Sequence, residues 1–132
     1  MAVGGVEVID LGFQAMGAIT KFRFVKGDYT AGRGCVQAGV LGERTMGVAM
    51  HAVSAGDATE EAAVNVRVMG IATVECGATV TAGAEVTTDA TARAINAVTA
   101  THRVAGQALE GGTVGQLISV ILAGPGAQRV LP

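Results

Sequence analysis

The chain has 132 residues, a formal net charge of −2 and aromatic rings at only 3% of positions. That length suits one domain with its own core. The charge balance, without any basic cluster, excludes the positive footprint a nucleic-acid binder needs, and the shortage of rings removes the stacking platforms of single-strand binders. Mean hydropathy is +0.48, yet no apolar run reaches the roughly 18 residues of a membrane-spanning helix. The opening stretch MAVGGVEVIDLGF carries no positive n-region, so a soluble, cytoplasmically made chain is expected, with no membrane partner. Twenty glycines against two prolines, with abundant Ala, Val and Thr, predict short strands joined by glycine turns.

Residues 1–18 alternate briefly, Val6 and Val8 about Glu7, before Ile9-Asp10. Two readings stand side by side: an extended arm that docks on a partner, or an edge strand of the same body. The body itself is expected over 19–124, with a tail over 125–132. Ile19 to Lys26 is predicted as a strand with Phe22 and Phe24 on one face and Lys21, Arg23 and Val25 on the other. Gly27-Asp28 is predicted as the turn after it. Met46 to Val53 is a further apolar ribbon, closed by Ser54 to Asp57. A helical turn is expected over 58–63, with Asp57 as N-cap and Glu60-Glu61 near the positive end of its dipole.

Val64 to Met69 is the clearest strand. Its period of two sends Val64, Val66 and Val68 inward, and Asn65 and Arg67 outward. Gly70 to Val86 follows as strand, glycine turn and strand, with Val74, Cys76, Val80 and Ala82 alternating against polar neighbours. Thr87-Thr88-Asp89 reads as a turn or cap before a short helical stretch over 90–96. Val104 to Leu109 and Val114 to Leu122 are the last strands, the second so apolar that both its faces are expected to be covered. The fold class is therefore mainly β: a small antiparallel β-barrel or sandwich of short strands.

A second pattern overlies the first. Shifting the chain by fifty-one residues sets Thr81-Ala82-Gly83 on Thr30-Ala31-Gly32, Val86 on Cys35, and Cys76 on Val25. Gly106-Gln107-Ala108 matches Gly47-Val48-Ala49, and Leu117 to Ile121 matches Val64 to Val68. Two pseudo-repeated units of roughly 50–60 residues are one reading, and a shared β rhythm is the other.

Candidates for chemistry are few. Cys35 and Cys76 are far apart and in no CxxC pair, so core packing explains them best. His51 and His102 complete neither a zinc set nor a nucleophile, base and orienting group. Glu60-Glu61 and Glu7/Asp10 read as solvated faces, and the glycine pairs near 32–34 and 111–112 lack a phosphate-loop sequence. No catalytic, cofactor or metal residue is assigned.

The ordered stretches KGDYTAGRGCV (26–36), MGVAMHAVSAGD (46–57), VNVRVMGIATVECGATVTAGAEV (64–86), VAGQAL (104–109) and GQLISVIL (115–122) resemble the small capsid cement, or head decoration, proteins of tailed phages. The resemblance runs from Phe22 to Leu122. It implies a non-enzymatic protein of the virion, made in the host cytoplasm and bound to the outer capsid surface. It further implies homotrimers at three-fold or quasi-three-fold sites, with the major capsid protein as partner. On that reading the N-terminal segment supplies the capsid contacts, Val6, Val8, Ile9, Leu11 and Phe13. The rival reading is a β-sandwich module for carbohydrate or another small ligand, which would ordinarily show exposed aromatic rings or clustered acids.

Overall fold

The computed structural model describes residues 8–30, 32–124 and 128–132. Among these described residues there are nine strands: β1 (Ile9–Ala15), β2 (Phe24–Asp28), β3 (Gly34–Gln37), β4 (Gly47–Ala49), β5 (Ala63–Glu75), β6 (Glu85–Thr88), β7 (Ala94–Asn96), β8 (Gly106–Ala108) and β9 (Leu117–Leu122). One short helix, α1 (Ala55–Thr59), joins them. The fold is mainly β, as the composition requires. The strands run in the order β1-β3-β2-β4-β5, and β1 also pairs with β5, which closes a five-stranded barrel. Beyond it the order continues β5-β9-β8-β6-β7. The two edges of this second set, β5 and β7, meet at a parallel bridge between Cys76 and Ala94.

β5 belongs to both halves, and its sequence shows why one strand can serve two cores. Val64, Val66 and Val68 are buried in the first barrel, whereas Ala72, Val74 and Cys76 are buried in the second. Between them Gly70 sits at φ +93°, a conformation that costs a side-chain-bearing residue energy and glycine little. There the strand exchanges its neighbours β1 and β4 for β9.

The two halves are copies in topology and register. Asp28 ends β2 and hydrogen-bonds the backbone N–H and the hydroxyl of Thr30 at 3.2 and 2.8 Å. Asp89, after β6, does the same to Thr91 at 2.8 and 2.9 Å. The Gln37 side-chain carbonyl accepts from Thr20 N, and that of Asn96 accepts from Thr81 N. The Gly-x-Ala strands β4 and β8 occupy one place: Gly47 faces Val25, and Gly106 faces Val86. Ala49 opposes Val66, and Ala108 opposes Val120. Duplication of the unit is thus the reading that holds, but with a different alignment. Thr81-Ala82-Gly83 corresponds to the Thr20-Lys21-Phe22 turn, and Thr30 corresponds to Thr91. The last strands are also displaced by one: Val66 matches Val120 rather than Ser119, as buried faces demand, since a slip of one residue inverts every side chain. Cys35 therefore matches Ala94, and Cys76 matches Ala15. Ala15 pairs with Cys35, and Cys76 pairs with Ala94, so each barrel seam holds one alanine and one cysteine with the partners exchanged.

Several local expectations are corrected. Residues 9–15 are a strand of the first barrel, tied to β5 from Ile9 to Gln14, while residues 1–7 lie outside the described residues. Ile19 to Lys26 is not one strand. Phe22 takes φ +62° in a turn, so Phe24 and Val25 are both buried, one facing the second half and the other inside the first barrel. Gly27 and Asp28 continue β2 against Cys35 and Gly34. The N-cap of α1 is Ser54, whose hydroxyl accepts from Asp57 N at 3.1 Å. Residues 70–86 do not form a hairpin, because β5 pairs with β9 and β6 pairs with β7 and β8. Ala82 there is exposed. Thr87 and Thr88 are buried strand residues, and 94–96 is a strand. One face of β9 is open, with Leu117 and Ile121 exposed.

Candidate docking face

β1 stays paired with β5 from Ile9 to Gln14, with a register shift between Ile9 and Asp10. Val8, Ile9 and Leu11, in and just before the first half of the strand, are exposed. Met69, opposite Ile9 on β5, is 46% exposed. Phe13 is buried, so of the residues assigned to capsid contact it is a floor rather than a surface group. Val6 lies outside the described residues.

Beside this strip lies an open groove of about 640 Å³ at one end of the first barrel. Leu11, Phe13, Met46, Val68 and Met69 supply its apolar lining. Tyr29, 66% exposed, closes one side. Its ring lies over Gly27, where any Cβ would overlap it. The guanidinium of Arg33 stands 5.0 Å from the centre of the Phe13 ring, a cation–π contact.

Two ion pairs among the described residues shape the electrostatics near the rim. Lys26 Nζ donates to Glu43 at 3.0 Å, and Glu43 also accepts the N–H groups of Gly39 and Val40, each at 2.7 Å. Burial alone would push the Glu43 carboxyl up, but these hydrogen bonds hold it below the usual carboxylate range. Arg67 donates twice to Asp10, at 2.8 and 3.1 Å, pinning β1 to β5. Hydrogen bonds from Arg67, opposed weakly by burial, keep the Asp10 carboxyl low. Among the described residues, the groove lining includes the charged side chains of Lys26 and Arg44.

The sequence pointed to the β1 residues of this face but missed Tyr29, Met46 and Met69. One signal was available for Met69, a large apolar residue at an outward position of the clearest strand. The remaining candidates stay apart. Cys35 is buried in the first core and Cys76 in the second, and both are free thiols. Burial raises the Cys35 thiol to about 11, and burial together with Glu75 and Glu110 raises Cys76. The expected result at pH 8 is no thiol reacting with a disulfide reagent in the native protein and two reacting after denaturation. Fast native labelling would contradict the buried placement. His51 accepts from Asn65 N at 3.1 Å, and His102 packs its ring against Gly42. Among the described residues no three His, Cys, Asp or Glu side chains gather to hold a metal ion, and no helix is long and apolar enough to cross a membrane.

No protein-family model matches the chain, and no curated protein matches it either. Among solved structures, the chain is similar to the head fiber gp8.5 N base in bacteriophage phi29. The identity is 17% and the TM-score 0.69, over 88% of this chain and 94% of that one. At that identity the likeness is one of fold: the duplicated β body described above is shared with that phage protein.

Proposed function

We propose that the chain is a non-enzymatic structural protein of a phage virion, which binds the outside of the capsid and stabilises it. On this reading the protein assembles as homotrimers at three-fold or quasi-three-fold sites, and its partner is the major capsid protein. The observation that carries the proposal is the exposed apolar strip of Val8, Ile9, Leu11 and Met69 on a body whose fold resembles a head fiber base. A strip of this kind on a small β body suits a contact repeated many times over a shell, where modest individual affinities act together.

Cosedimentation with shells assembled from the cognate major capsid protein tests the proposal, with expanded and unexpanded shells compared. Preferential binding to expanded shells is expected, with loss of at least tenfold in affinity for Ile9→Glu. Binding to neither form would overturn the proposal and favour a small-ligand module using the same groove. Light scattering of the free protein is expected to report three copies.

A further inference from the structure

We infer that residues 128–132 are a releasable strap, which ties the two barrels together and opens as a unit while both barrels stay folded. The inference goes beyond the shell reading and does not depend on it. Its starting point is the duplication. Thr45 and Val104 hold the same place in the two units, each two residues before the glycine of its Gly-x-Ala strand. Consecutive strap residues serve both. The Gln128 side-chain carbonyl accepts from Thr45 N at 3.3 Å, and the Arg129 backbone carbonyl accepts from Val104 N at 2.8 Å. The Gln128 amide nitrogen donates in turn to Thr45 O at 2.8 Å and to its hydroxyl at 3.2 Å. This one side chain thus treats Thr45 as a neighbouring strand would.

Past that point the strap pairs through its backbone. Val130 faces Arg103 across an antiparallel bridge. Leu131 N donates to His102 O at 3.0 Å, and Thr101 N donates to Leu131 O at 2.9 Å. Arg129 adds an exposed ion pair with Glu85. The hold is therefore polar and close to water. Arg129, Val130 and Pro132 are exposed, Gln128 and Leu131 are half-buried, and none of the five belongs to either core. Opening transfers little apolar surface to water, and segments of that kind open well below the free energy of global unfolding. The duplication also shows what the strap replaces. Gly124, at φ +79°, matches Gly70, at φ +93°. After Gly70 the strand runs on into the next barrel, whereas residues 128–132 lie back across the junction. Closed, the strap caps the backbone edge at 101–104, and bare strand edges pair with other chains.

Native-state hydrogen exchange of the full chain, followed by NMR, tests this. The reporters are the amides of Thr45, Thr101, Val104 and Leu131, with those of Val66 and Val120 reporting on the barrels. The four are expected to share one protection factor, at least tenfold below those of Val66 and Val120. Gln128→Ala is expected to lower all four by the same factor, at least fivefold. The Arg103–Val130 bridge is flanked by its hydrogen bonds, the closer of the two antiparallel pairings, and a disulfide can span it. Arg103→Cys combined with Val130→Cys is expected, once oxidised, to raise the four protection factors at least tenfold, reversibly on reduction. Protection equal to that of Val66 and Val120 in the parent makes the segment part of the barrels' own unfolding and overturns the strap. A loss confined to Thr45 in Gln128→Ala separates the two contacts and overturns the single unit. Protection unmoved by the disulfide, or failure of the pair to oxidise, overturns opening across the bridge.

Discussion

Phe24→Ala is expected to lower the unfolding free energy by about 3–5 kcal/mol, the usual cost of truncating a fully buried aromatic side chain. Phe24 is 0% exposed and the largest side chain joining the two barrels. It rises from the first barrel into the core of the second beside Val48 and Ala38, and its N–H donates to Ala92 O at 2.8 Å. Arg23 reinforces the junction by donating to Thr91 O and Glu75. The duplicated architecture supplies an internal control. The residue corresponding to Phe24 in the second half is Glu85, which pairs with Gln107 as Phe24 pairs with Val48. Glu85 forms an exposed ion pair with Arg129, so Glu85→Ala is expected to cost less than about 1 kcal/mol. Urea unfolding of the two variants reads the difference directly. Equal losses at both positions would contradict a junction centred on Phe24.

Gly47→Ala and Gly106→Ala form the second pair, each expected to destabilise by about 3 kcal/mol or more, beyond ordinary overpacking because the obstacle is backbone. A Cβ at Gly47 would overlap the carbonyl oxygen of Arg67, and one at Gly106 would overlap that of Ile121. Neither strand can yield without parting from its neighbour, β4 from β5 and β8 from β9. Because the two glycines occupy the same place in the two units, their losses should be similar. Chemical denaturation checks this, and a cost below about 1 kcal/mol at either site would mean the strands relax apart easily. Alanine at exposed Gly12, where no heavy atom is within 4 Å, is the neutral comparison.

What could be read from the sequence was governed by how local the determining physics is. Alternation in β5 was legible because Val64, Val66 and Val68 respond to one buried face, and the Gly-x-Ala pair was legible because close strand approach admits only small residues. The Thr-Ala-Gly match misled because a tripeptide of small residues suits two different turns. The informative signal was Asp-x-Thr-Ala, at 28–31 and 89–92, where the carboxylate organises the turn. Thr87 and Thr88 looked like turn residues by polarity, yet their β-branched bodies are buried in β6. The groove was illegible for another reason. Its lining comes from β1, β2, β5 and the segment around Met46, and no spacing along the chain records that meeting.

The exchange of Phe24 and Val48 in one unit for Glu85 and Gln107 in the other has a consequence for stacking. The outer side of the second barrel is where a third would attach if the tandem were continued. Attachment there would strip water from the Glu85–Arg129 pair and from Gln107 without supplying the aromatic plug that seals the first junction. End-to-end stacking of copies through this outermost wall is therefore opposed by the groups it presents.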